Sequence, residues 1–447
     1  MSENFAPVEV SEYLTYDGLP REASGYMDIC DWKSFQGNYE YCVSRFGKEI
    51  VDAYLKIKNI QIIPSFEEVH DEIINIIHFY LDVSNDTASI LALWIIGTHF
   101  YKKFPTFPVL FLNASRGSGK TRGLSLMSHL CAGFSGKIQN NISLSSVFRA
   151  KGVLLFDECE KLKHSEFTEL LTLLNGCYKK GSQVSRQKKV KTPQGESYQT
   201  ESFDIYRPVA LANIGGLDRV LQDRAIIIYM DKSFSPIICS RVEDFDTRLA
   251  PLKKKIELLV NDNHDNHDDY DNLLTYWNDF LTLKYQDSIS KKVDALDKVD
   301  GLTQNFKLFD KIYEANIRGR SLEITFPLIL IAKKINDSVF EDTLTLCSGI
   351  AKMRRESERD DVDTLILRFV SSKKTDIQEW WTVKELFNHF SLFASVDLSK
   401  EMSIISFGMA LDRLQLISQR RRTTSDRQVK LNIERAEKRV GLFDAEK

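Results

Sequence analysis

Pro108-Val-Leu-Phe-Leu-Asn113, followed by Ala114-Ser-Arg-Gly-Ser-Gly-Lys-Thr121, is the stretch on which the fold turns. The first part is an apolar run bounded by Lys102-Lys103-Phe104-Pro105, and it reads as a buried strand. The second fits the phosphate-binding pattern, except that Ala114 stands where glycine is usual. Gly117 and Gly119 let the backbone curl so that N–H groups point inward, and the helix expected after Lys120 presents its positive end to an anion. A nucleotide cradle is therefore expected over Ser115, Arg116, Gly117, Ser118, Gly119, Lys120, Thr121 and Arg122. Lys120 would meet the β- and γ-phosphates of ATP, and the Thr121 hydroxyl would ligate Mg²⁺. The alternative is a chance glycine-rich turn, against which the flanking strand and helix argue.

Such a site needs carboxylates at the end of a neighbouring strand. Gly152-Val-Leu-Leu-Phe-Asp157-Glu158 supplies them, with Asp157 for the Mg²⁺ shell and Glu158 to orient and polarise the attacking water. Further strands are expected at 207–213 and 225–230, with helices after Lys120, at 143–150 and at 164–176. Strands alternating with helices imply a parallel sheet covered by helices. Upstream, apolar residues recur at helical spacing from Phe66 to His99, with Ser84-Asn85-Asp86 as the intervening turn and N-cap.

Between the acidic strand and the strand ending at Asn213, a basic hairpin is expected. Arg186, Lys188, Lys189 and Lys191 lie on its first arm, Thr192-Pro-Gln-Gly195 forms the turn, and Ser197-Tyr-Gln-Thr-Glu-Ser-Phe203 returns. Its basic arm would track DNA phosphates; a solvated charged hairpin is the alternative. After Asn213 come Arg219 and Arg224, the latter directly before the strand at 225. Farther on, Arg318-Gly-Arg320-Ser-Leu-Glu323 opens an apolar helix. The C-terminal segment suggests a winged helix: helices near 361–370, 383–390 and 403–415, then Arg420-Arg421-Arg422 on a wing contacting phosphate. Winged helices also bind proteins, so both readings stay open there.

Trp94-Ile-Ile-Gly-Thr-His99, Gly119-Lys-Thr121, Asp157-Glu158, the approach from Asn175-Gly176 to Arg186, and Leu221-Gln-Asp-Arg224-Ala together resemble a family of AAA+ ATPases of phages, plasmids and other mobile elements. Arg320-Ser-Leu-Glu323 also looks like the lid motif of minichromosome maintenance helicases, and the hairpin is similar to one in those and in superfamily-three viral helicases. The resemblance implies an AAA+ P-loop NTPase core of α/β class, with a helical N-terminal region, a helical lid and a C-terminal winged-helix domain. The expected divisions are 1–80, 81–245, 246–360 and 361–447. It further implies that Asn213 touches the γ-phosphate or positions water, and that Arg224, or else Arg219, completes a neighbouring subunit's site. Arg320 would lie over the nucleotide from the lid; a solvated helix cap is the alternative.

Composition agrees with this class without demanding it. Seven cysteines occur with no Cys-x-x-Cys pair, which argues against a zinc ribbon or a disulfide framework and for a reducing cytoplasm. The apolar run at 89–97 is too short to span a bilayer. His264 and His267 lie in an acidic loop that offers no rigid metal shell. The function that the resemblance implies is an ATP-driven DNA helicase or translocase, a hexameric ring acting on single-stranded or forked DNA in mobile-element replication beside a primase or other replication protein. A replication initiator or helicase loader that binds without unwinding is the alternative, and a remodeller of protein partners is a third reading.

Overall fold

The computed structural model describes Val43 and residues 63–133, 138, 152–157, 168–192, 195–214, 216–262, 268–289, 300–359, 362–375, 379–394, 402–422 and 427–444. The N-terminal start, the helix expected at 143–150, Glu158, and the two loop histidines lie outside the described residues. The chain divides into two compact units, Met1–Leu346 and Cys347–Lys447.

The first unit is mixed α/β, built on a four-stranded parallel sheet that is compatible with a P-loop-like core. Its strands are β1 (Val109–Ala114), β2 (Leu154–Phe156), β5 (Val209–Asn213) and β6 (Ala225–Met230), in the order β2-β5-β1-β6. A separate antiparallel ribbon pairs β3 (Gln183–Thr192) with β4 (Gly195–Asp204). The core strands are nearly continuous apolar runs because helices cover both faces, so there is no polar alternation to read. Register sets Asn113 beside Asn213 and Ala114 beside Met230, so the strand ends line up where the glycine-rich loop leaves β1. Leu174 and Cys177 of a helix at Thr168–Cys177 pack with Phe111, Phe156 and Leu211 in the core beneath.

Helices α1 (Phe66–Tyr80) and α2 (Asn85–Phe100) precede the sheet, and α3 (Lys120–Leu130) follows the loop. Ser65 caps α1 in a reciprocal box with Glu68, and Ser84 accepts from the Thr87 amide to cap α2. α2 is apolar on every side and buried on nearly every side. Its polar residues therefore face inward and bond to backbone. Trp94 Nε1 donates to Pro108 O (3.0 Å), Thr98 Oγ1 accepts from the Ala132 amide (3.1 Å), and His99 Nε2 lies 2.8 Å from Leu130 O. One helix thereby grips the start of β1 and the end of α3, the two flanks of the loop. Burial pushes the His99 pKa down, so the ring is neutral and donates to that carbonyl.

Gly97 lies where α2 is crossed by α8 (Gly319–Ile335), the longest buried stretch among the helices described after the sheet. A Cβ there would come within 2.9 Å of both Ile331 Cδ1 and Phe107 Cε2. Gly97→Val should therefore lower unfolding free energy by about 1–3 kcal/mol, the usual cost of overpacking. Denaturant melts check this; an unchanged midpoint would show that the crossing can relax. No described helix is long and apolar enough to cross a membrane.

The second unit holds helices at Val362–Ser372, Val383–Phe393, Ile404–Arg413 and Ile433–Asp444. It also holds a three-stranded antiparallel sheet of β7 (Trp380–Thr382), β8 (Ile417–Arg422) and β9 (Arg427–Leu431), ordered β7-β9-β8. Its core is aromatic, with Phe390 stacked on Phe407 at 5.1 Å and Phe369 edge-on to Phe390 at 5.5 Å.

Candidate functional site

The turn from β1 into α3 requires two left-handed residues, Gly117 (φ 77°) and Gly119 (φ 87°), and glycine adopts that conformation without strain. Ser118 is buried, and its hydroxyl donates to Ser115 O at 2.8 Å, which ties the loop to itself. Gly119 is the N-cap of α3, so the free amides of the first helical turn, the positive end of the peptide dipoles, open toward the loop. Lys120 is half-buried at the first helical position and has no ion-pair partner among the described residues. Ser115, Arg116 and Gly117 stand exposed at the rim.

Thr121 and Asp157 are far apart in sequence but meet here: the Thr121 hydroxyl donates to Asp157 Oδ2 at 2.6 Å. Asp157 is only 6 % exposed, held at the end of β2 beside β5. Asn213, 1 % exposed, ends the strand between β1 and β2; its Nδ2 donates to Gly216 O at 3.0 Å. Its Oδ1 is buried and has no hydrogen-bond partner among the described residues. An unmet buried acceptor costs stability unless a ligand or water satisfies it. Two hard oxygens beside a ring of amides suit a small divalent cation that keeps most of its waters or takes phosphate oxygens. No group of three or more His, Cys, Asp or Glu side chains able to cage a metal alone occurs among the described residues.

Other residues singled out in the sequence lie elsewhere. Arg122 points away from the loop: Nη1 donates to Tyr80 O (3.3 Å) and Ile238 O (3.1 Å), Nη2 to Arg241 O (3.0 Å), and Nε lies 3.6 Å from Glu243. It staples the end of α1 and the segment after β6 to the helix that carries Lys120. Arg224 and Arg320 sit at the opposite edge of the sheet. Val109 N bonds to Arg224 O (3.0 Å) where β1 begins, and β1 separates that point from the loop by roughly 17 Å.

Arg320 differs most from its expected place over the nucleotide of its own chain. It donates to Asp223 Oδ2 (3.2 Å) and to the Tyr178 hydroxyl (2.9 Å), and pairs with Glu323. The cause is the docking of α8, whose first turn is anchored by Thr106 Oγ1 donating to Glu323 O at 2.7 Å, beside the strand starts. Tyr178 was not marked by any sequence pattern. Both guanidiniums nevertheless lie near its ring, Arg224 at 4.9 Å and Arg320 at 5.2 Å from the centroid. Arg219 opens a short helix, Arg219–Gln222, whose N-cap is Asp218.

The basic segments are displayed on β-structure. Arg186 is paired with Glu169 at 3.2 Å, Lys188 is exposed, and Lys189 and Lys191 continue along β3, their side chains outside the described residues. In the second unit Arg420 pairs with Asp412, Arg421 lies 4.1 Å over Trp380, and Arg422 faces Arg427 across the ribbon. The helix Ile404–Arg413 exposes Ile405 and Met409, and its Arg413 is paired with Asp363 at 2.7 Å. That face is apolar rather than basic, whereas the ribbon of β8 and β9 carries Arg420, Arg421, Arg422 and Arg427.

No family model matches the chain, and no curated protein sequence does. Among solved structures, a JCV helicase determined with a bound acetamide compound is similar over 54 % of this chain and 78 % of that chain, at 14 % identity and a TM-score of 0.20.

Proposed function

We propose that the chain is an ATPase of the AAA+ class that binds ATP and Mg²⁺ on the loop between β1 and α3 and couples hydrolysis to movement along DNA as a homo-oligomeric ring, a hexamer. The observation that carries the nucleotide reading is the 2.6 Å contact of Thr121 with Asp157 at the mouth of a loop whose two glycines are left-handed. Loop amides and Lys120 would hold the β- and γ-phosphates. Mg²⁺ on Thr121 and Asp157 would neutralise charge on the phosphate oxygens. Asn213, whose buried oxygen has no hydrogen-bond partner among the described residues, would position the attacking water, and Glu158 would accept its proton.

The helical segments between residues 246 and 360 would then be the lid, and the C-terminal unit a winged helix whose wing, through Arg420, Arg421 and Arg422, contacts phosphate. The basic ribbon of Arg186, Lys188, Lys189 and Lys191 would line the pore. A primase or another replication protein would act beside it on single-stranded or forked DNA, inside the cytoplasm of a host carrying the mobile element.

Strand separation on a forked duplex tests the translocase reading against the initiator or loader reading. Wild-type protein should unwind the fork only with ATP, and Glu158→Gln should bind ATP without turning it over. The double variant Lys188→Ala/Lys189→Ala should lose unwinding at least about tenfold. Wild-type protein that hydrolyses ATP and binds the fork without separating it would leave the initiator or loader reading standing.

A further inference from the structure

Tyr198 is 68 % exposed on β4, although tyrosine in a sheet is ordinarily packed on one face. At the root of the ribbon Val184 faces Phe203, and both pack against the core of the first unit. Beyond that root the described residues Gln187, Lys188, Gln199, Thr200, Glu201 and Ser202 are all exposed, so the ribbon stands out with solvent on both faces. An isolated two-stranded ribbon is marginally stable, and an aromatic ring on it gains little unless something covers that ring. Among the residues whose side chains are described, the Tyr198 ring has no aromatic or cationic neighbour.

Its surroundings along the backbone are cationic. Register sets Tyr198 opposite Lys189, on the ribbon face that two residues farther on carries Lys191, while Lys188 lies on the other face opposite Gln199. Alternating lysines follow a phosphate chain without reading sequence, and an exposed ring among them offers a surface to any base. We propose that Tyr198 is a nucleobase-stacking platform: its ring takes one base of single-stranded DNA while the lysines of β3 hold the adjoining phosphates. This rests on the DNA reading of the ribbon and assigns a contact to a residue outside the basic arm.

Binding of two fluorescent oligonucleotides separates bases from phosphates: a 20-mer of thymidylate and a 20-mer of the same backbone without bases. Wild-type protein should prefer the thymidylate strand by about tenfold, the magnitude expected of one stacked base. Tyr198→Ala should bring the two affinities together, and Tyr198→Phe should keep them apart. Lys188→Ala should weaken both strands alike and flatten the salt dependence. If wild-type protein binds both strands equally, or if Tyr198→Ala retains the preference, the platform is refuted while the DNA reading survives. If neither strand binds, the DNA reading fails and the platform with it. Tyr198 is exposed, so none of these variants should change the melting temperature, and any that did would be read through Tyr198→Phe instead.

Discussion

Lys120→Ala should abolish ATP hydrolysis, with kcat reduced at least about a hundredfold, and leave the melting temperature within about 2 °C of wild type. Lys120 opens α3 at the mouth of the loop, and among the described residues its ammonium has no ion-pair partner. Its charge therefore contributes little to folding, and substitutions away from packed or paired features stay within about 0.5 kcal/mol. The charge would matter only when phosphate arrives, first in binding and then more strongly as negative charge shifts toward the departing group. Thr121→Ala should fall less far, because Asp157 would still hold the cation. Its loss should show mainly as a raised Mg²⁺ requirement. Steady-state hydrolysis with Mg²⁺ titrated across both variants checks the pair. If Lys120→Ala kept activity within a fewfold of wild type, the loop would not be a catalytic phosphate site.

The local geometry of the glycine-rich loop and its flanks was legible in the sequence. An apolar strand, two glycines and Lys120-Thr121 carry their own geometry, because left-handed turns and helix starts are decided over a few residues. The strand positions followed from apolar run length, because a strand covered on both faces is an unbroken apolar run. What the sequence withheld was long-range. Nothing local tells whether Arg122 turns toward phosphate or toward the carbonyls of Tyr80, Ile238 and Arg241, which come from two distant segments. The contacts of Arg320 are long-range for the same reason. Its position is decided by how α8 docks on α2 around Gly97 and by the bond from Thr106 to Glu323, and no spacing pattern encodes that. Tyr178 had no signal at all, since a buried aromatic after a helix usually means core and its contact with two arginines exists only once the sheet is assembled.

Arg224 should act on another subunit, and complementation between two inactive proteins should reveal it. Its guanidinium rests on Tyr178, its Nε is buried without a hydrogen-bond partner among the described residues, and the adjacent Asp223 is engaged by Arg320. A cation held this way is oriented, has no ion-pair partner among the described residues, and lies at the end of the strands opposite the loop of its own chain. Arg224→Ala should therefore lower hydrolysis about a hundredfold or more without weakening nucleotide binding to the same degree. Arg224→Lys should not rescue it, because an ammonium lacks the planar fork that spans two phosphate oxygens. An equal mixture of Lys120→Ala and Arg224→Ala, each inactive alone, should recover about a quarter of wild-type activity if subunits mix at random and each shared site draws one residue from each side. Recovery arises because an Arg224→Ala chain still offers an intact loop and a Lys120→Ala chain still offers the arginine. If the two proteins co-assemble and no activity returns, the arginine does not work across the interface. If Arg224→Ala hydrolyses ATP at the wild-type rate, its place against Tyr178 is structural and the site is complete within one chain.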